Sequence, residues 1–369
     1  MEATTNVYDA ANTYFPSAEN STKLELYSFF LVLMHGSWPI LYFQTYMSTV
    51  TSVITVFHLF ILTRKSMKTS SVISIMTGIA VCDLVGMLVT FVSNGTNLYF
   101  DKDCAPPPSN LNLSIYWISV VIHDLVRRCS TWLGVQMTLI RFLAVKFPLS
   151  PNILNVSQYK FGYYSCLGLF IFSSLFSGIY YFRYDIVESK NQWKPGQNCT
   201  NFPKNSKNYE MVYSELFTMN EEIVSRIYML VNGIVTKILP CILFPLFTVL
   251  LVTVLQKAKS NRGALREAKK SSTEKTSALV IFMAITFFIM ELPLGIATVI
   301  QTVYTDMGYT YITTYIADYC NAFFTVNAII HCVICFVMSS EYRRAVRKAV
   351  GVKIVKPTVM ISVSQNSRC

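Results

Sequence analysis

Apolar residues gather into seven long blocks, at 39–63, 71–93, 115–145, 160–182, 223–255, 276–303 and 311–338. Each is about 20 residues or more, the length a helix needs to cross a hydrocarbon core of about 30 Å. Within such a core each segment must satisfy its own backbone polar groups, which predicts helices. The alternating pattern of a membrane barrel is absent. The expected fold is therefore an all-α membrane protein, a seven-transmembrane helix bundle over 39–338. A segment over 1–38 precedes it, and a short amphipathic helix over 339–350 and a tail over 351–369 follow. Composition agrees: 53% of the 369 residues are hydrophobic and 14% charged, against about 25% charged in soluble domains. A further apolar stretch, 24–34, is too short to span. It either lies on the membrane or extends the first span, bent at Pro39. The first twenty residues are polar, with no signal-peptide core, so the first span is expected to serve as its own insertion signal.

Charge sets the expected orientation. With the N-terminus outside, 19 of the 31 basic residues fall in cytosolic segments and 7 in outer ones. Lys and Arg resist translocation, so this split predicts N-out, C-in, in a plasma membrane. Of the 20 acidic residues, 13 fall outside and 3 inside. The net charge of +11 is thus a topology signature, not a nucleic-acid-binding surface. The acidic outer face is either a vestibule that concentrates cationic ligands or a solvated rim. Most of the ten cysteines lie in spans, where they act as small apolar residues. Cys104 and Cys199 lie in outer loops, where an oxidising exterior permits a disulfide that staples the second loop over the bundle. Sequons at Asn20, Asn94, Asn112 and Asn198 fall outside and are candidate glycan acceptors; Asn155 falls inside.

Local motifs narrow the class. The third span ends Leu139-Ile140-Arg141-Phe142, followed by Pro148-Leu149. Rhodopsin-like receptors carry Asp-Arg-Tyr and then Pro-Leu at such a place, and the resemblance gives Arg141 the role of meeting a heterotrimeric G protein. Ile140 stands where the family has an acid. Glu274, at the inner start of the sixth span, is the candidate substitute restraint, and basal signalling is expected. Ala80-Val81-Cys82-Asp83-Leu84 resembles the second-span Leu-Ala-x-x-Asp motif. By resemblance, Asp83, Ser130 and Asn327 form a buried polar pocket that holds a sodium ion or is a satisfied network with no ion. No other cofactor is expected. In the sixth span Pro293 predicts a kink, and Glu291 stands where a Trp is usual. Asn327-Ala328-Ile329-Ile330-His331 stands in place of Asn-Pro-x-x-Tyr. These departures belong to a narrower group. Lys237-Ile238-Leu239-Pro240-Cys241, Glu291-Leu292-Pro293-Leu294-Gly295, Arg127-Arg128-x-Ser130-x-Trp132-Leu133-Gly134-Val135 and Met338-Ser339-Ser340-Glu341-Tyr342-Arg343 resemble the nematode class W serpentine receptors. That family is similar to FMRFamide-type neuropeptide receptors.

The buried charges suggest a switch. Arg127 lies about 21 Å above Arg141 at 1.5 Å per residue, at about the depth of Glu291. Arg127 or Arg128 is expected to pair with Glu291, and Asp124 reaches Arg128 one turn away. A ligand with its own cation would compete for Glu291, Asp124 or Asp318; His123 completes the candidate ligand-binding set. The expected partners are an extracellular peptide or small molecule, a G protein at the inner end of the third span, and the lipid bilayer. Enzyme motifs are missing, and the seventh span has no Lys for a retinal Schiff base. A small-molecule chemoreceptor is the main alternative. A seven-span channel, which insect chemoreceptors build with the opposite orientation, is the remote one.

Overall fold

A computed structural model describes residues 2–100, 102, 104–190, 207–260, 267–304, 306–338 and 340–351; for 2–6, 221, 258–260, 267–284, 338 and 340 it describes the backbone alone. The chain is a helical bundle with one small hairpin. A short α1 (Glu2–Tyr14) precedes α2 (Asn20–Leu62), α3 (Ser71–Phe100) and α4 (Asn110–Lys146). A single-turn α5 (Pro151–Val156) leads into α6 (Tyr159–Tyr181). Strands β1 (Tyr184–Glu188) and β2 (Tyr209–Tyr213) then pair antiparallel, with Tyr184 opposite Tyr213. The fifth block becomes α7 (Glu215–Val231), a π-helical turn (Asn232–Ile238) and α8 (Leu239–Ser260). The bundle closes with α9 (Glu267–Val303) and α10 (Met307–Met338), and α11 (Ser340–Ala349) turns away from its end.

Among the described residues, six helices are long and apolar enough to cross a membrane. The remaining long helix, α4, has 37 residues but carries Asp124, Arg127 and Arg128 in its middle. It sits centrally, packed on α3, α6, α8 and both strands of the hairpin. Its entry is capped by Ser109, whose hydroxyl accepts from the Asn112 N–H at 3.2 Å.

The boundary drawn at Pro39 falls inside one helix, because α2 runs unbroken from Asn20 to Leu62 through Pro39. Its 43 residues measure about 65 Å at 1.5 Å per residue, twice the hydrocarbon thickness. Of the two readings of 24–34, the extension of the first span is the one adopted. The N-terminal overhang is held by packing: Phe30 and Phe15 are buried with Ile312, and the Tyr14 ring lies 4.9 Å from that of Phe30. The Ser17 N–H and hydroxyl both donate to the Asp306 carboxylate, at 3.0 and 2.7 Å. At the other end, α11 buries Tyr342 and Ala345 against Ile61, Leu62 and Cys335. The Tyr342 hydroxyl lies 2.7 Å from His58 Nδ1, so α11 is pinned to α2.

The π-helical turn in the fifth span was not legible as a period change, but its cause is. Pro240 has no N–H for the carbonyl four residues back, and its ring crowds that carbonyl, so the backbone ahead of it widens. Two glycines let the widened turn lie against α9. A Cβ on Gly295 would come within 2.9 Å of Ile238 Cγ1, and one on Gly233 within 2.8 Å of Val299 Cγ2.

Candidate functional site

A cavity of about 330 Å³ opens between the helices, with the hairpin residues Tyr184 and Met211 in its wall. It gathers His123, Asp124 and Arg127 from α4, Lys237 from the π-helical turn and Asp318 from α10. Arg127, one of its lining residues, is held in a buried ion pair. Arg127 Nε donates to Glu291 Oε1 at 2.8 Å, with side chains 6% and 3% exposed. The same guanidinium donates to Asn321 Oδ1 and, at 3.4 Å, to the Met290 carbonyl. Arg127 thereby ties α4 to α9 and α10, two residues before the Pro293 kink position.

Arg128 points elsewhere. Successive residues on a helix are about 100° apart, and this one faces α6 and the π-helical turn. It donates to the Asp124 carboxylate, to the Ser173 carbonyl at 2.9 Å, to Ser177 Oγ at 3.0 Å and to Asn232 Oδ1 at 3.3 Å. The Phe176 ring lies 5.2 Å from its guanidinium. Of the two pairings open in the sequence, Glu291 therefore takes Arg127, while Asp124 takes Arg128.

The cavity's charge is mixed rather than acidic: Arg127, Arg183 and Lys237 face it with Asp124 and Asp318. The acidic bias of the outer loops does not extend into it, because long spans bring their own cations to the same depth. Arg183 belongs to the roof. Its guanidinium lies 5.7, 5.3 and 5.4 Å from the rings of Tyr180, Tyr184 and Tyr213, and donates to the Tyr213 hydroxyl at 3.3 Å. The His123 ring stands edge-on to Phe324 at 5.9 Å, and its buried Nε2 has no protein partner. Sequence reasoning did not select Lys237, Arg183, Asn321 or Asn232 for the site. Lys237 carried a signal, since an ionisable residue inside a span is functional by default.

Nearer the Arg141 end of the bundle, Asp83 is 2% exposed. Its Oδ1 accepts from Ser130 Oγ at 3.2 Å, and its Oδ2 lies 3.0 Å from His331 Nδ1. Asn327 joins through His331 Nε2 at 3.3 Å and through Thr286 Oγ1 at 3.5 Å. A sodium ion at Asp83 would have to compete with the Ser130 hydroxyl and the His331 imidazole, which already stand against its two oxygens. The sequence grouped Asp83, Ser130 and Asn327; His331 enters with them because it is one helical turn from Asn327.

At the inner end, Arg141 Nη2 lies 4.0 Å from Met76 Sδ, and among the described residues Arg141 has no ion-pair partner. The side chain of Glu274 lies outside the described residues. So do Asn198 and Cys199, while Cys104 is disulfide-bonded. Asn20 is exposed at the start of α2 and Asn112 is partly exposed on the first turn of α4. Asn94 is a correction. It is 7% exposed inside α3, and its Nδ2, the atom a glycan would need, donates to Gln44 Oε1 at 3.1 Å. The apolar block ends at 93, but the helix continues to Phe100 and turns Asn94 toward α2.

Residues 42–353 match the family described as "Serpentine type 7TM GPCR chemoreceptor Srw". Among curated proteins, the chain is similar to "G-protein coupled receptor dmsr-1" of Caenorhabditis elegans, 21% identical over 363 residues, covering 87% of this chain and 70% of that protein.

Proposed function

The chain belongs to the Srw family of serpentine seven-transmembrane G-protein-coupled receptors, and on that premise we propose that it is a plasma-membrane receptor for an FMRFamide-like neuropeptide, with its N-terminus outside. The observation that carries this reading is the cavity lined by Arg127, whose guanidinium is paired with the buried Glu291. A ligand entering beneath the hairpin meets the Arg127 side of that pair. A group of the ligand that competes for Glu291 weakens the tie between α4 and α9, while Asp124 and Asp318 offer it further anionic contacts. The segment of α9 below Pro293 is then free to swing outward, because the proline removes a backbone hydrogen bond there. Such a ligand shifts the balance between two states only by as much as it binds one better than the other. The outward swing uncovers Arg141 for a heterotrimeric G protein.

Several features support the membrane placement. The charge split favours N-out, and the exposed Arg344, Arg347 and Lys348 of α11 suit anionic headgroups of the inner leaflet. We assign Cys199 as the disulfide partner of Cys104, and Asn20, Asn112 and Asn198 as glycan acceptors. The test is calcium release in cells expressing the chain with a promiscuous G protein, challenged with C-terminally amidated Arg-Phe peptides. A saturable response that Arg141→Ala abolishes at equal surface expression is expected. Silence with the receptor verified at the surface overturns the peptide reading. It would favour small-molecule chemoreception, for which the cavity's size, near the lower end of about 300–1,000 Å³ for ligand pockets, is the specific argument.

A further inference from the structure

Five formally charged side chains line the cavity, and three of them are committed to the protein. Arg127 is held by Glu291, Asp124 by Arg128, and Arg183 by three tyrosine rings and the Tyr213 hydroxyl. Two are left. Among the described residues, neither the Lys237 ammonium nor the Asp318 carboxylate has a hydrogen-bond or ion-pair partner, although Lys237 is only 8% exposed and Asp318 is partly buried. Charges at membrane depth are costly unless paired, so proteins pair them or use them. Here two opposite charges stand on different elements, the π-helical turn and α10, and face one space.

We propose that this cavity recognises a bipolar end of a peptide, two or three residues long. Asp318 takes the peptide's cation, a guanidinium or ammonium group, and Lys237 takes a carboxyl or carbonyl oxygen. This rests on the receptor reading above and deepens it. A cavity of about 330 Å³ holds roughly that much peptide. Each pole completes a pair that the empty protein leaves open, so a ligand lacking either charge or acceptor forfeits one pairing. The Lys237 pole is also the one coupled to the bundle. Lys237 Cβ lies where a Cβ on Gly295 would come within 3.1 Å, so the lysine backbone rides directly on α9 beside Pro293. Drawing the ammonium toward a ligand oxygen therefore loads the helix that must move. His123 Nε2, buried and without a protein partner, is a third polar atom on the same wall.

Thermal unfolding of the purified full-length receptor tests this without any signalling readout. Because the burial of Lys237 and Asp318 is offset by no hydrogen bond or close ion pair among the described residues, Lys237→Met and Asp318→Asn are each expected to raise Tm by a few degrees. A fall in Tm, or failure of Lys237→Met to fold, would make the lysine structural and overturn the proposal. Arg-Phe amide, Arg-Phe free acid and N-acetyl-Phe amide serve as probes at millimolar concentration. The two Arg-Phe forms are expected to raise the wild-type Tm, the free acid more than the amide. N-acetyl-Phe amide, lacking the cation, should raise it little, and both variants should lose the shift. No shift by either Arg-Phe form, or a shift that survives in Lys237→Met, overturns the bipolar site. Either result leaves the receptor reading standing on its calcium assay. Conversely, a silent calcium assay with intact Tm shifts overturns the signalling reading alone.

Discussion

Among the described residues, the two halves of α4 hold their charges differently. In the N-terminal half, Asp124, Arg127 and Arg128 are closed off by partners on α6, α9, α10 and the π-helical turn. In the C-terminal half, Arg141 has no ion-pair partner among the described residues, and its guanidinium lies 4.0 Å from the Met76 sulfur. The described charged tie between α4 and α9 thus sits at Arg127. That tie is buried, and Arg127 also lines the cavity. On the receptor reading proposed above, a ligand in the cavity would meet one end of it.

The sharpest way to break this comparison is at Glu291. Glu291→Ala leaves Arg127 buried and short of its anion, a loss of about 3–5 kcal/mol. Thermal unfolding of the purified receptor should show a large drop in Tm and a reduced folded yield. Arg127→Met combined with Glu291→Leu removes both charges and should recover most of the Tm, because well-packed apolar residues replace buried ion pairs at little cost. The double variant should nonetheless lose ligand-dependent signalling. If it proves as unstable as Glu291→Ala, the pair is not the tie between the two helices.

A second variant probes the layer between the two halves. With His331 facing Asp83, wild-type Tm should be indifferent to exchanging sodium chloride for choline chloride. His331→Ala removes the imidazole from one carboxylate oxygen and should introduce sodium dependence, with agonist affinity changing about fivefold between the two salts. Wild-type sodium dependence of that size would mean that the imidazole does not occupy the carboxylate. The smallest effect concerns the outer rim. Asn94→Gln should leave gel mobility before and after glycosidase unchanged, whereas Asn20→Gln should remove one glycan's worth of mass. A mobility shift on Asn94→Gln would put α3's outer end outside the bundle.

Much of the architecture was legible because hydrocarbon thickness imposes a length that apolar blocks must meet. Even α4, whose charges lower its hydropathy, stood out as an apolar block over 115–145. Helix ends were less legible: α3 and α4 both run beyond their apolar blocks, and α2 continues through Pro39. Outside the hydrocarbon, helix continuation is decided by packing, as between Phe30, Phe15 and Ile312. The site was half legible. The depth of Glu291 and the Arg127-Arg128 pair could be counted along each helix, and so could the reach of Asp124 to Arg128.

What the sequence by itself determined is the set of charges placed in the membrane, their depth and the class of protein that needs them there. Which charges meet was decided only by the tertiary structure. A one-residue step rotates a side chain by about 100°, and rotation becomes a partner only when the neighbouring helix is known. That is why Arg127 rather than Arg128 closes on Glu291, why His331 takes the second oxygen of Asp83, and why Lys237 and Asp318 are left facing the same cavity.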